Sequence, residues 1–135
     1  PTSSATTPTD IGSDTTFEVT ATDSNSDDYY LIVCSTDAVT PVNGGAPTCD
    51  VTTWCVSSAT TSGSQATCSR TALAGDSVSN IWYGFVCDGH SSFADCSPTG
   101  NQGSGDSGSP FVVNHQASFT GASNDAPKDP GQTIT

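Results

Sequence analysis

The side chains of this 135-residue chain that could do chemistry are six cysteines, two histidines, thirteen aspartates and a serine in a glycine-rich turn. The cysteines are Cys34, Cys49, Cys55, Cys68, Cys87 and Cys96. The closest two, Cys49 and Cys55, have five residues between them, so the paired CxxC spacing of a structural zinc site is absent. Six cysteines in so short a chain instead predict three disulfides and an oxidising, extracellular compartment. Six allow 15 connectivities. Loop closure favours the local set: Cys34–Cys49 around PVNGGAP, Cys55–Cys68 on two arms of a hairpin, and Cys87–Cys96 around DGHSSFAD. The rival pairing, Cys34–Cys87, would join the two apolar strands LIVC and GFVC.

The serine is Ser107, in the hexapeptide GDSGSP at residues 105–110. This stretch is similar to the nucleophile motif GDSGGP of trypsin-like serine proteases, with Ser109 in place of the second glycine. The resemblance would make Ser107 a nucleophile beside an oxyanion hole. The rest of that machinery is missing. The only upstream histidine, His90, lies 17 residues away in an expected disulfide loop, and His115 follows the serine. A secreted hydrolase built on Ser107 is therefore the remote reading, and no residue is assigned as catalytic. His90 and His115 lack a third ligand for a transition metal.

Residues 23–28 (DSNSDD) place oxygen donors at Asp23, Asn25, Asp27 and Asp28, the residue types of a calcium loop. No flanking helix or closing Glu is present, which excludes the helix–loop–helix site. Residues 123–127 (SNDAP), with Asn124 and Asp125, are similar to the calcium-sharing linkers of cadherin-like repeats, and Asp10 and Asp129 could join them. An ordinary Asp/Asn turn explains the same residues without metal. Calcium is the only cofactor these side chains suggest.

Formal charge is −12, with Arg70 and Lys128 as the only cations. Such a chain repels phosphate backbones and anionic membrane surfaces, which argues against nucleic acid as a partner. No apolar run approaches the ~20 residues that span a bilayer. Nor does the sequence carry a signal-peptide pattern, so it reads as mature or as part of a longer chain. Serine and threonine make up 42 of the 135 residues. The clusters at 2–9 and 52–61 could carry O-linked sugars, but no N-x-S/T sequon exists.

Elements to position these groups read as strands. Residues 15–22 alternate, with Phe17, Val19 and Ala21 on one face. Residues 29–35 (YYLIVCS) form a continuous apolar run, expected of a central buried strand. Further strands are expected at 51–58, at 64–71 returning antiparallel, at 79–88 and at 110–117. Trp54, Trp82 and Phe111 are the expected core anchors. Tyr29, Tyr30, Trp82 and Tyr83 could stack on a sugar only in part, because neighbours on a strand face opposite ways. About seven short strands separated by turn residues predict an all-β, immunoglobulin-like antiparallel sandwich with three disulfides and extended termini.

The two ends repeat each other. At a constant offset of 119 residues, Pro8 matches Pro127, Asp10 matches Asp129, Gly12 matches Gly131 and Thr16 matches Thr135; Ser4 and Ser123 extend the match. A repeat of domain size predicts a tandem array. Residues 1–14 are then a linker or inter-domain strand, 15–119 the sandwich, and 120–135 a linker and the start of the next copy, or a strand docking on a neighbour. On TFEVTATDSNSDDYYLIVC, PTC, WCVSS, ATCS, WYGFVCD and GDSGSPFVVNH, the chain resembles the immunoglobulin- or fibronectin type III-like repeats of large bacterial surface proteins. The resemblance implies a scaffold role in a stalk, adhesin or filament, with copies of itself or adjacent repeats as partners and no enzymatic activity. The reading from a different class is a module that binds a carbohydrate or host ligand.

Overall fold

The computed structural model describes residues 1–5, 8–118, 120 and 121. Eleven short strands lie among them: β1 Thr2–Ser3, β2 Thr9–Asp10, β3 Asp14–Thr20, β4 Tyr29–Cys34, β5 Val39–Thr40, β6 Thr48–Cys49, β7 Thr53–Val56, β8 Gln65–Thr71, β9 Ser79–Asn80, β10 Tyr83–Asp88 and β11 Phe111–Asn114. A single 3-10 turn, Gly105–Ser107, is the one helical element among the described residues. The protein is all-β, built from small and mostly antiparallel sheets ordered β1-β3-β8, β10-β4-β7 and β2-β11-β9, with a separate β5-β6 hairpin. No described helix is long and apolar enough to cross a membrane.

Strands β3 and β8 alternate as half-buried strands must. Thr15 and Phe17 on β3, and Ala66 and Cys68 on β8, point inward while their neighbours are more exposed. Strand β4 does not alternate, because both its faces are covered. Tyr29, Leu31 and Val33 join the main core with Phe17, Trp82, Phe111 and Val113. Ile32 and Cys34 turn the other way and form a second, smaller core with Phe85 and Cys87. Val39, Cys49 and Cys96 pack over this second core, so the β5-β6 hairpin lids the outer face of the β4–β10 pair. The two strands of the hairpin flank the PVNGGAP stretch, and the hairpin accounts for the unbroken apolar run in YYLIVC.

Two expectations are corrected. Segments 51–58 and 64–71 do not form one hairpin: β7 pairs with β4, whereas β8 pairs with β3. The intervening turn carries the chain from one sheet to the other, and β8, seated beside β3, buries Ala66 and Cys68. The expected strand 79–88 breaks at Ile81–Trp82. Its first part pairs with β11 and its second with β4, and the break turns Trp82 fully into the core.

The partner of β4 on β7 jumps from Cys55 opposite Val33 to Thr53 opposite Cys34, which leaves Trp54 as an extra residue. Such a bulge re-aims a side chain. Both Trp54 and its neighbour Cys55 consequently pack on the main core, which strict alternation would forbid. Trp54 meets the Phe111 ring edge-on at 5.2 Å, and the Arg70 guanidinium lies 4.6 Å from its centroid on a cation–π contact. Arg70 is held there by an ion pair with Asp76.

Candidate functional site

The disulfides join Cys34 to Cys49, Cys55 to Cys68 and Cys87 to Cys96, and no cysteine is free. Cys34 registers against Tyr83, and Cys87 against Tyr30, so the rival Cys34–Cys87 bond is not made. The Cys55–Cys68 bond runs between the two sheets rather than across a hairpin. The other two staple the second core: one ties the β5-β6 hairpin to β4, the other ties the loop after β10 back to β10. Three disulfides fit an oxidising compartment.

Residues 1–5 and 8–10 are not a free linker. Strand β1 pairs antiparallel with β3, Thr2 opposite Glu18 and Ser3 opposite Phe17. The Ser4 amide donates to the Thr16 carbonyl at 2.8 Å, and the Thr16 amide donates to Ser4 Oγ at 2.8 Å. Farther on, β2 crosses to the other layer and runs parallel to β11, with Thr9 opposite Val113 and Asp10 opposite Asn114. Asn114 Nδ2 donates to Asp10 Oδ1 at 2.9 Å. Gly12 turns the chain into β3 at φ +87°, a conformation that favours glycine, and its amide donates to the Ala72 carbonyl. The six expected assembly residues are thus divided. Pro8, Asp10 and Gly12 belong to this docked segment, while Pro127, Asp129 and Gly131 lie outside the described residues.

The loop around GDSGSP supports that segment. Ser3 Oγ donates to the Ser107 carbonyl at 2.9 Å, and a Cβ on Gly103 would come within 3.0 Å of the Pro1 carbonyl oxygen. Ser107 Oγ donates to the Ser104 carbonyl. His90 Nδ1 accepts the amides of Ser92 and Phe93 at 3.1 and 3.0 Å, and His115 is exposed. Neither histidine bonds to Ser107. Ser109, the departure from the protease pattern, accepts the Trp82 amide on its hydroxyl at 2.9 Å. A glycine there would leave the Trp82 amide without this acceptor.

In the loop 23–28, Asp23 Oδ1 accepts the amides of Asn25 and Asp27 at 2.8 and 3.1 Å, an Asx-type turn. Among the described residues no three His, Cys, Asp or Glu side chains converge as a metal site. Asn124 and Asp125 lie outside the described residues. Tyr29 and Trp82 are buried and cannot offer ring faces to a sugar. Tyr29 instead knits the loops at its end of the sheet: its hydroxyl is 2.5 Å from the Ser64 carbonyl and 3.1 Å from that of Val19, and it accepts the Ala21 amide at 3.2 Å.

The sequence does not disclose the pairing of β2 with β11, which two residues without a pattern cannot announce. It does single out Asp10, through its repetition. The chain matches no protein-family model, no curated protein and no solved structure.

Proposed function

We propose that the chain is an immunoglobulin-like module of an extracellular stalk or filament, with residues 123–135 opening a second copy, and that it works as a scaffold without catalysis. One observation carries this reading: what the repeated residues do in the first copy. Ser4 and Thr16, which recur as Ser123 and Thr135, bond reciprocally to each other. Asp10 holds Asn114, and Gly12 takes the left-handed turn; they recur as Asp129 and Gly131. The Thr16 groups in these bonds are main-chain, so the selected features are the Ser4 hydroxyl, the Asp10 carboxylate and the glycine that the turn requires, and chance similarity between two polar linkers does not account for their recurrence together.

The strand pattern supports an immunoglobulin-like arrangement. The first strand splits between layers, β1 beside β3 and β2 parallel to β11, and Cys55–Cys68 runs between sheets. Direction supports an end-to-end array. Strand β3 runs from Asp14 opposite Thr71 to Thr20 opposite Gln65. Strand β11 leaves at the Asp14 end, beside the turn at Gly12. The loops 23–28 and 89–94 lie at the other end, where the Gly89 amide donates to the Asp28 carbonyl.

The test replaces the docked segment by its repeat. A chain in which residues 123–135 stand in place of 4–16, followed by 17–118, is expected to oxidise to three disulfides and unfold cooperatively, as the chain beginning at residue 1 does. If it stays unfolded while residues 1–118 fold, the tandem reading fails.

A further inference from the structure

The geometry points to a head-to-tail contact in which the end bearing Ile11, Leu73 and Val78 seats the Phe93 loop of the next copy; this rests on the tandem reading above. Ile11, Leu73 and Val78 are 41, 54 and 62% exposed. They sit on three segments joined at one end of the module. The Gly12 amide donates to the Ala72 carbonyl, the Ala72 amide to the Ser13 carbonyl, and the Val113 amide to the Val78 carbonyl. That is the end from which β11 departs. Three of the eight exposed large apolar side chains among the described residues thus gather on this end, and exposed apolar groups brought together mark a contact surface.

The occupant follows from chain direction and length. Nine peptide steps separate Asn114, the last residue of β11, from Ser123, the counterpart of Ser4. Fully extended, they reach about 30 Å, so the next copy must begin close to the exit end. Ser4 sits partway along β3, beside Thr16, and the chain passes it travelling toward the Gly12 turn. The end of the next copy that faces back is therefore the one with loops 23–28 and 89–94. Phe93, 81% exposed, is the most exposed large apolar side chain among the described residues and lies on that end. Its loop is rigid enough to present it: His90 Nδ1 accepts two of the loop amides, and Asn43 Oδ1 accepts the amide of Ala94.

Charge argues for an apolar contact. The exit end carries Asp10, Asp14 and Asp76, and the facing end carries Asp23, Asp27, Asp28, Asp88 and Asp95. Arg70 is already committed to Asp76. Two acidic ends cannot meet through ion pairs, and apolar contact must outweigh their repulsion. Salt screens that repulsion, over about 10 Å at 0.1 M, so added salt strengthens this contact, the opposite of an ion-paired interface.

The experiment uses a two-copy chain, residues 1–135 followed by a repeat of 17–121, with isotope-labelled methyl and aromatic groups. The expected result is nuclear Overhauser contact between the second copy's Phe93 ring and the first copy's Leu73 and Val78 methyls. A shared rotational correlation time should accompany it, tightening from 10 mM to 300 mM salt. Leu73→Ser in the first copy, or Phe93→Ser in the second, should abolish both signals while each module keeps its own melting temperature. Two folded modules that tumble independently, without such contacts, overturn the head-to-tail contact and leave the tandem reading standing. A second module that does not fold overturns both, because residues 123–135 then fail to replace 4–16.

Discussion

The two faces of β4 are buried by different means. Its inner face meets Phe17, Trp82, Phe111 and Val113, large side chains whose burial contributes ~1.5–3 kcal/mol each. Its outer face meets a two-strand hairpin and a loop around only Ile32, Cys34, Phe85 and Cys87. A two-stranded hairpin alone is marginal in water. Two of the three disulfides hold that outer layer, and only one crosses the main core. Where apolar area is plentiful, packing sets the structure; where it is scarce, covalent loop closure substitutes. A chain that is 33% hydrophobic needs both.

Removing the centre of the inner layer should have the largest effect. Trp82 is fully buried and its ring meets Phe17 edge-on at 5.1 Å. Trp82→Ala is expected to cost about 3–5 kcal/mol, read as a shifted urea midpoint. That is a large share of the ~5–15 kcal/mol that holds a small domain together. An effect below 1 kcal/mol would show that packing does not dominate the inner face.

The outer layer should respond to its staples instead. Cys34→Ala with Cys49→Ala opens a loop with a sequence separation of 15. The expected loss is about 3 kcal/mol. Hydrogen exchange should locate it: amides of the β5-β6 pair lose protection first, while those of β3 and β8 keep theirs until global unfolding. Equal loss on both pairs would mean that the two layers form one cooperative unit.

Much of this division is legible in the sequence, and the rest is hidden for identifiable reasons. The unbroken YYLIVC run announces a strand buried on both faces, though not what covers the second one. The covering hairpin has two-residue strands with no periodicity to read. Alternation in QATCSRT marks a half-buried strand, but the choice between β3 and β7 as its partner depends on which sheet needs Ala66 and Cys68. Trp82 sits inside what reads as one continuous strand, and the amide freed at the break is bonded from 27 residues away by the Ser109 hydroxyl. The GDSGSP motif draws attention for chemistry; its bonds instead seat the first strand and the Trp82 backbone. Local patterns survive in sequence, whereas changes of sheet partner are long-range decisions that no short window holds.

A smaller effect tests how the inner layer is closed at its loop end. The Tyr29 hydroxyl joins Val19, Ala21 and Ser64 at a site 1% exposed. Tyr29→Phe keeps the ring and leaves a part-buried amide and the two carbonyls that share the hydroxyl proton without that partner, for an expected loss of about 1 kcal/mol. The loss should concentrate as faster exchange at the Ala21 amide. A neutral substitution would mean that water enters and satisfies those groups.

The smallest effect is the sharpest test of what lies outside both layers. Phe93 is the counter-example to each: a large aromatic ring on a loop that neither core covers. Its ring lies 5.8 Å from that of His90, and the bonds that shape its loop run through the His90 ring and main-chain amides. Phe93→Ser removes none of them. In the 135-residue chain the substitution is expected to change stability by less than about 0.5 kcal/mol, as surface replacements do, while raising solubility. A loss above 1 kcal/mol would show that the ring serves its own module, and its exposure would then need no partner to explain it. Near-neutrality leaves an aromatic side chain held in water by an ordered loop, which packing within one module does not require.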